Sequence, residues 1–192
     1  MLLLIIATYR LTDIVMGPMA NPFYIDMGYS LSEIGYVVKV VALIATIIGV
    51  FVGGIFIKRF GLYQSLLIGA FLVMITNLLF SYASIYEKNL ALLACIVASD
   101  SLAAGIVGTV NITFLTSLVS AKYTGFQYAL LTSLMAFLGK VFGGFSGVFV
   151  ENFQMLFGFN YGWMSFYIFT SMLAIPAIMI ILFNKKFFLL QK

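Results

Sequence analysis

The sequence predicts an all-α membrane protein, a polytopic bundle of six transmembrane helices forming a single domain over residues 1–192. Three observations point there. First, 64% of the residues are hydrophobic, 8% are charged and mean hydropathy is +1.16, too little polarity for a water-facing surface. Second, the apolar runs are continuous over about twenty residues or more, the length at which a helix crosses the bilayer core. A β-barrel would show alternating polarity in segments of about ten residues instead. Third, the charges between the runs separate by sign.

The first run, Leu2 to Phe23, carries Arg10 and Asp13 and lacks both a basic start and an A-x-A-like cleavage site, so it reads as a span and not a signal peptide. The second, Leu31 to Ile57, opens with Ser30-Leu31-Ser32-Glu33, a capping box in which Ser30 and Glu33 satisfy the exposed donors of a helix start. Leu62 to Ala83, Leu90 to Val119, Tyr128 to Val150 and Trp163 to Phe183 follow. Lys58 and Arg59, Lys122, and Lys185, Lys186 and Lys192 occupy the alternate connections and the tail, with no acid among them. The remaining connections hold Asp26, Glu33, Glu87 and Glu151, with Lys88 as the sole cation. Because cytoplasmic loops accumulate Lys and Arg, both termini are expected in the cytoplasm.

The chain has no His, and its one cysteine, Cys95, sits in an apolar run and reads as a small core residue. Disulfides, Cys/His metal clusters and His-based triads are therefore excluded, and neither a cofactor nor an enzymatic role is expected. The net charge of +4 forms no basic patch with interleaved aromatics, which argues against nucleic acid. The lipid bilayer is the expected environment.

Five charges fall inside the apolar runs: Arg10, Asp13, Lys39, Asp100 and Lys140. Each costs about 2.5–3.5 kcal/mol at a helix centre on insertion scales, so they are expected to face the bundle interior and pair, or to line a wet cavity. Arg10 and Asp13, three apart on one helix face, can neutralise each other. Lys39, near its helix start, can instead extend its head to the interface. Lys140 and Asp100 lie deeper and mark a substrate path or proton relay. Helical spacing extends these positions into stripes: Tyr9, Arg10, Asp13 and Gly17; Lys39, Thr46 and Gly53; Asp100, Ala104 and Asn111. Gly139, Gly143 and Gly147, and likewise Gly49 and Gly53, read as faces for close helix packing.

At Gly54-Ile55-Phe56-Ile57-Lys58-Arg59-Phe60-Gly61 the chain resembles the G-x-x-x-D-R-x-G cytoplasmic-loop signature of major facilitator superfamily transporters, with Lys58 in place of the acid and Leu62 where a basic residue is usual. Longer stretches resemble the AmpG-type muropeptide permeases of that superfamily: Tyr9-Arg10-Leu11-Thr12-Asp13, Asn21-Pro22-Phe23, Ile25-Asp26-Met27-Gly28, Gly35 with Lys39, and Phe126-Gln127-Tyr128-Ala129-Leu130-Leu131. Asp100 through Gly108 and Gly139-Lys140-Val141 continue the similarity. It runs from about Tyr9 to Ile181, with extra residues around Phe153 to Tyr161, and covers the second half of such a permease.

The resemblance implies one half of a major facilitator fold in a bacterial inner membrane, importing anhydro-muropeptides with protons. Asp13 and Asp100 would be proton sites, with Arg10, Lys39 and Lys140 holding the substrate's carboxylates or pairing with those acids. Such transporters form their path between two halves, so a separate N-terminal half or a second copy is the expected partner. Met1-Leu2-Leu3-Leu4 enters directly into the first run, which reads as a split or truncated gene. The competing expectation is a non-transporting remnant of a split gene or a helix-bundle assembly partner.

Overall fold

The computed structural model describes residue 5 and residues 8–119 and 123–185, and every regular element among them is helical. Helix α1 spans Leu11–Asp26 and α2 Leu31–Tyr36; a π segment, Val37–Val41, joins α2 to α3, Ala42–Ala83. Then come α4 (Leu90–Ser117), α5 (Thr124–Gly144), α6 (Ser146–Phe157), α7 (Phe159–Met172) and α8 (Ala174–Phe183). The capping box forms as expected: Glu33 N–H donates to Ser30 Oγ at 3.3 Å and Ser30 N–H to Glu33 Oε2 at 2.7 Å.

By length and hydropathy, four helical runs suffice to cross a membrane: Leu31–Ala83, Leu90–Ser117, Thr124–Phe157 and Phe159–Phe183. This differs from the six expected spans for two reasons. Helix α1 has 16 residues, fewer than a crossing needs, and the expected first span begins in residues outside those described. The expected second and third spans join into one run of 53 residues, which would be about 80 Å long if straight.

It is not straight. Gly61 adopts φ +78° and ψ 167°, a left-handed conformation that glycine enters without steric cost. A β-carbon at Gly53 would press on Ile106, and one at Gly69 on Val107. These glycines are equidistant from Gly61 in sequence and meet the same turn of α4, so the chain doubles back at Gly61. The connection expected at Lys58 and Arg59 is thus a one-residue reversal, with the Arg59 guanidinium 5.6 Å from the Phe60 ring centroid.

The limb of α3 before Gly61 packs on α4 backbone to backbone. A β-carbon at Gly49 would collide with the Leu102 carbonyl, and one at Gly105 with the Thr46 carbonyl. Thr109 Oγ1 donates across this seam to the Val50 carbonyl at 3.3 Å. The limb after Gly61 packs on α7 through polar contacts: Asn77 Nδ2 to Thr170 Oγ1 (3.2 Å), Ser81 Oγ to Met164 O (3.2 Å) and Ser171 Oγ to Met74 O (3.0 Å). Side-chain hydrogen bonds of this kind link helices where the bilayer supplies no hydrophobic drive. Helix α5 meets α1, as its glycines imply: a β-carbon at Gly139 or Gly143 would strike Ile14.

One end of the bundle is clasped. The Tyr29 hydroxyl donates to the Asn89 carbonyl (3.0 Å) and accepts from its N–H (3.1 Å), and Lys88 Nζ lies 2.8 Å from Glu33 Oε2. Trp163 Nε1 donates to Asp26 Oδ2 at 3.0 Å. Lys58 and Arg59 lie at the opposite end, by the reversal. Lys122, Lys186 and Lys192 fall outside the described residues. Where extra residues were expected around Phe153 to Tyr161, α6 continues to Phe157 and Gly158, at φ +83°, turns the chain into α7. Cys95, expected in the core, is exposed on α4, because the faces of α4 that pack on α3 carry Gly105 and Ile106 instead.

Gly49→Leu is expected to destabilise the fold by about 1–3 kcal/mol through overpacking, lowering the thermal unfolding midpoint in detergent. Gly54→Leu, where an added β-carbon meets nothing, is expected to leave the midpoint in place.

Candidate functional site

Two of the clasped elements set the depth of the acids. The turn after α1 and the start of α4 are tied together by Tyr29 and Asn89. From that end, a helical rise of about 1.5 Å per residue puts Asp13 and Asp100 roughly 15–20 Å into the bundle, near the middle of a core about 30 Å thick. The chain runs towards the clasp along α1 and away from it along α4, which brings these two positions to one level.

The fold assembles part of the predicted site. Arg10 Nε lies 3.8 Å from Asp13 Oδ2, with the side chains 36% and 20% exposed. At this separation the pair is loose, and both atoms are buried without a hydrogen-bond partner among the described residues. Asp100, half-buried on α4, interacts electrostatically with Asp13 on α1. Thr76, from the returning limb of α3, is within hydrogen-bonding reach of the Asp100 carboxyl. Arg10, Asp13 and Asp100 therefore form one group.

Lys39 and Lys140 do not join it. Both are exposed, and among the described residues neither makes an ion pair. Lys39 sits in the π segment, whose wider turn shifts the following helix face by about one residue. Lys140 follows Gly139, which packs on Ile14, and its head is left outside that contact. The expectation that these lysines face inward and pair is not met within this chain. In the signature-like stretch, Gly54, Lys58 and Arg59 are exposed and Gly61 makes the reversal.

Three participants escaped the sequence reading. Tyr24 and Tyr167 both interact electrostatically with Asp100, and Thr76 touches it. Tyr167 is fully buried and, among the described residues, its hydroxyl has no hydrogen-bond partner. Its ring is held edge-on by Phe23 (centroids 5.0 Å apart) and stacked on Phe80 (5.1 Å), within an aromatic cluster completed by Trp163 and Phe166. No local signal marks a tyrosine as the neighbour of an acid on another helix.

Helix α1 shows how this group meets its surroundings. Its buried side carries Thr12, Val15, Met16 and Phe23. Beyond the half-exposed Arg10 and Asp13, its other side presents Gly17, Pro18, Asn21 and Pro22, all exposed. Pro18 lacks the N–H that would bond the Ile14 carbonyl. The gap in the helical ladder faces Gly143 of α5, and at the start of α6 Ser146 Oγ donates to the neighbouring Val15 carbonyl at 2.7 Å. The exposed side is thus poor in large apolar groups, unlike the exposed side of α3, where Ile44, Ile47, Phe51 and Ile55 project. The first suits water or a polar ligand; the second suits lipid.

No family model matches the chain. Its similarity to individual proteins is nonetheless extensive. AmpG 1 of Rickettsia prowazekii, named as a transporter, is 32% identical over 182 residues, 95% of this chain and 39% of its own length. The chain is similar to proteins named as AmpG transporters. AmpG 4 of Rickettsia felis is 31% identical over 96% of this chain and 43% of its own length. The anhydromuropeptide permease of Escherichia coli is 32% identical over 95% of this chain and 36% of its own length. The resemblance read from the motifs therefore holds along nearly the whole sequence, while the chain spans about two fifths of the length of the AmpG relatives it matches.

In a Cys95→Ser background, single cysteines at Gly17 and Asn21 are expected to react with a hydrophilic thiol reagent in membranes, and one at Phe51 to remain unlabelled. Equal protection at all three positions would show that the α1 side faces lipid.

Proposed function

We propose that the chain forms one wall of a proton-coupled AmpG-type transporter of the major facilitator superfamily, one that imports anhydro-muropeptides across a bacterial inner membrane. The observation that carries this reading is the similarity to AmpG transporters and to an anhydromuropeptide permease over 95% of the chain. The charged group near mid-depth and the small, polar side of α1 support it. Six crossings follow if α1 extends into the residues before it, the reversal at Gly61 separates two crossings, and the α5–α6 and α7–α8 pairs each make one. The basic end, with Lys58, Arg59 and the tail lysines, is then cytoplasmic by the positive-inside rule, as are both termini.

In this reading Lys39 and Lys140 are exposed because the surface they stand on is closed by a second wall. The relatives are longer than this chain, and a first-half segment, as a separate chain or as part of a longer one, is the proposed complement; a second copy is the other candidate. An arginine and lysines on the cavity side suit a ligand that carries carboxylates, and alternating access comes from rocking one wall against the other.

Uptake of labelled anhydro-muropeptide into membrane vesicles, with and without a co-expressed first half, tests this. Uptake driven by an inward proton gradient is expected when both halves are present. Its absence in both cases, with the protein inserted, returns the chain to a non-transporting role. Lys39→Gln and Lys140→Gln are each expected to raise KM roughly tenfold, the loss of about 1.4 kcal/mol of charge-assisted binding, with kcat changed less.

A further inference from the structure

Resting on the transport reading, the geometry points to Asp100, not Asp13, as the acid that holds the coupling proton, with the Tyr167 hydroxyl as the group that positions it. The charges of the central group are one guanidinium and two carboxyls. A guanidinium stays charged in proteins, so with both acids ionised the group carries one net negative charge near the middle of the bilayer. One proton makes it neutral, and a neutral group is the one that low-dielectric surroundings favour. The proton goes to the acid that lacks the cation. Arg10 is three residues from Asp13 on α1, with Nε 3.8 Å from Oδ2, whereas Asp100 comes from α4 and, among the described residues, has no ion-pair partner.

Among the described residues, the neighbours of Asp100 supply hydroxyl groups and no paired cation. Thr76 Oγ1 can donate to the Val73 carbonyl at 3.1 Å. A hydroxyl both donates and accepts, so Thr76 can pair with Asp100 in either protonation state. On the other side the Tyr167 hydroxyl is buried, unpartnered and electrostatically linked to Asp100. Its ring cannot swing away, because Phe23 and Phe80 hold it on two sides. The titratable groups facing Asp100 are Asp13 and Tyr24 from α1 and Tyr167 from α7. From α3 it meets Thr76, and the lysines of the π segment and α5 are exposed and, among the described residues, make no ion pair. When the proton leaves Asp100, the Tyr167 hydroxyl, without a hydrogen-bond partner among the described residues, is the neighbouring donor available to the resulting carboxylate, so Tyr167 is assigned as a positioning residue.

The test is infrared difference spectroscopy of the full chain reconstituted in phosphatidylcholine vesicles, reading the carbonyl stretch of a protonated carboxyl. At neutral pH the unaltered chain is expected to show one such band. Asp100→Asn removes it. Arg10→Gln increases its area about twofold, since both acids then need a proton. Tyr167→Phe keeps the band and shifts its frequency. A band that survives in Asp100→Asn, or an unchanged area in Arg10→Gln, overturns the assignment, and an unshifted band in Tyr167→Phe overturns the role of Tyr167. Circular dichroism establishes that each variant is helical. If Asp100→Asn does not fold, Asp100→Glu serves, with a displaced band expected and an unmoved one overturning the proposal. The band does not depend on uptake, so an intact band together with no uptake either with or without a co-expressed first half sinks the transport reading and leaves the proton assignment standing.

Discussion

Helices α3 and α4 touch through their backbones where Gly49 and Gly105 face each other, each against the other helix's carbonyl groups. Inside a bilayer, helices gain little from burying apolar side chains, because lipid is as apolar as they are; close backbone approach and interhelical hydrogen bonds do the work instead. This contact fixes the rotation of α4. With Gly105 turned to α3, Asp100, a little over one turn earlier, is directed towards α1 and the returning limb of α3. The reversal at Gly61 depends on the same seam, since both limbs reach one turn of α4. Position and orientation of the buried acid are thus set by residues that carry no charge and touch no ligand.

The central group then works as a unit whose charge is determined by position. An acid beside an arginine and an acid beside hydroxyl groups are chemically the same residue type in two environments. On the proposed assignment, this separation of environments lets one remain a fixed counter-ion while the other exchanges a proton, a division of labour that two equivalent carboxyls could not make. The aromatic cluster of Phe23, Phe80, Trp163, Phe166 and Tyr167 lies between this group and the clasped end. Its rings are interlocked edge-to-face and stacked.

Much of this was legible from residue types. A run of apolar residues forces a helix because lipid offers backbone groups no partners, and a charge within such a run must find compensation, so Arg10, Asp13 and Asp100 stood out at once. Packing glycines were legible for the same reason: a small-x-x-x-small face has few uses besides close approach. What the sequence hid was assembly. Thr76 and Tyr167 join the site only because α3 turns back and α7 returns alongside it, and neither residue is unusual in its own helix. The two lysines show the converse. Lys39 and Lys140 looked interior because their runs are apolar, but an apolar run states that a helix is in the membrane and not which side of it is covered by protein.

That distinction also bears on the exposed surface. Helix α3 before the reversal displays Ile44, Ile47, Phe51 and Ile55, a side that lipid alone can satisfy. Lys39 opens the same helix, and a lysine held at that depth requires water, an anion or a partner's carboxyl. The side of α1 bearing Gly17 and Asn21 has the small, polar character of a wetted surface. A bundle whose exposed residues were all lipid-facing would have no reason to place an arginine, two acids and two lysines where they meet the outside of the fold. A polar surface within a membrane is stable only where water reaches it or something closes over it, so these charges support the proposed second wall on grounds separate from the length of the relatives.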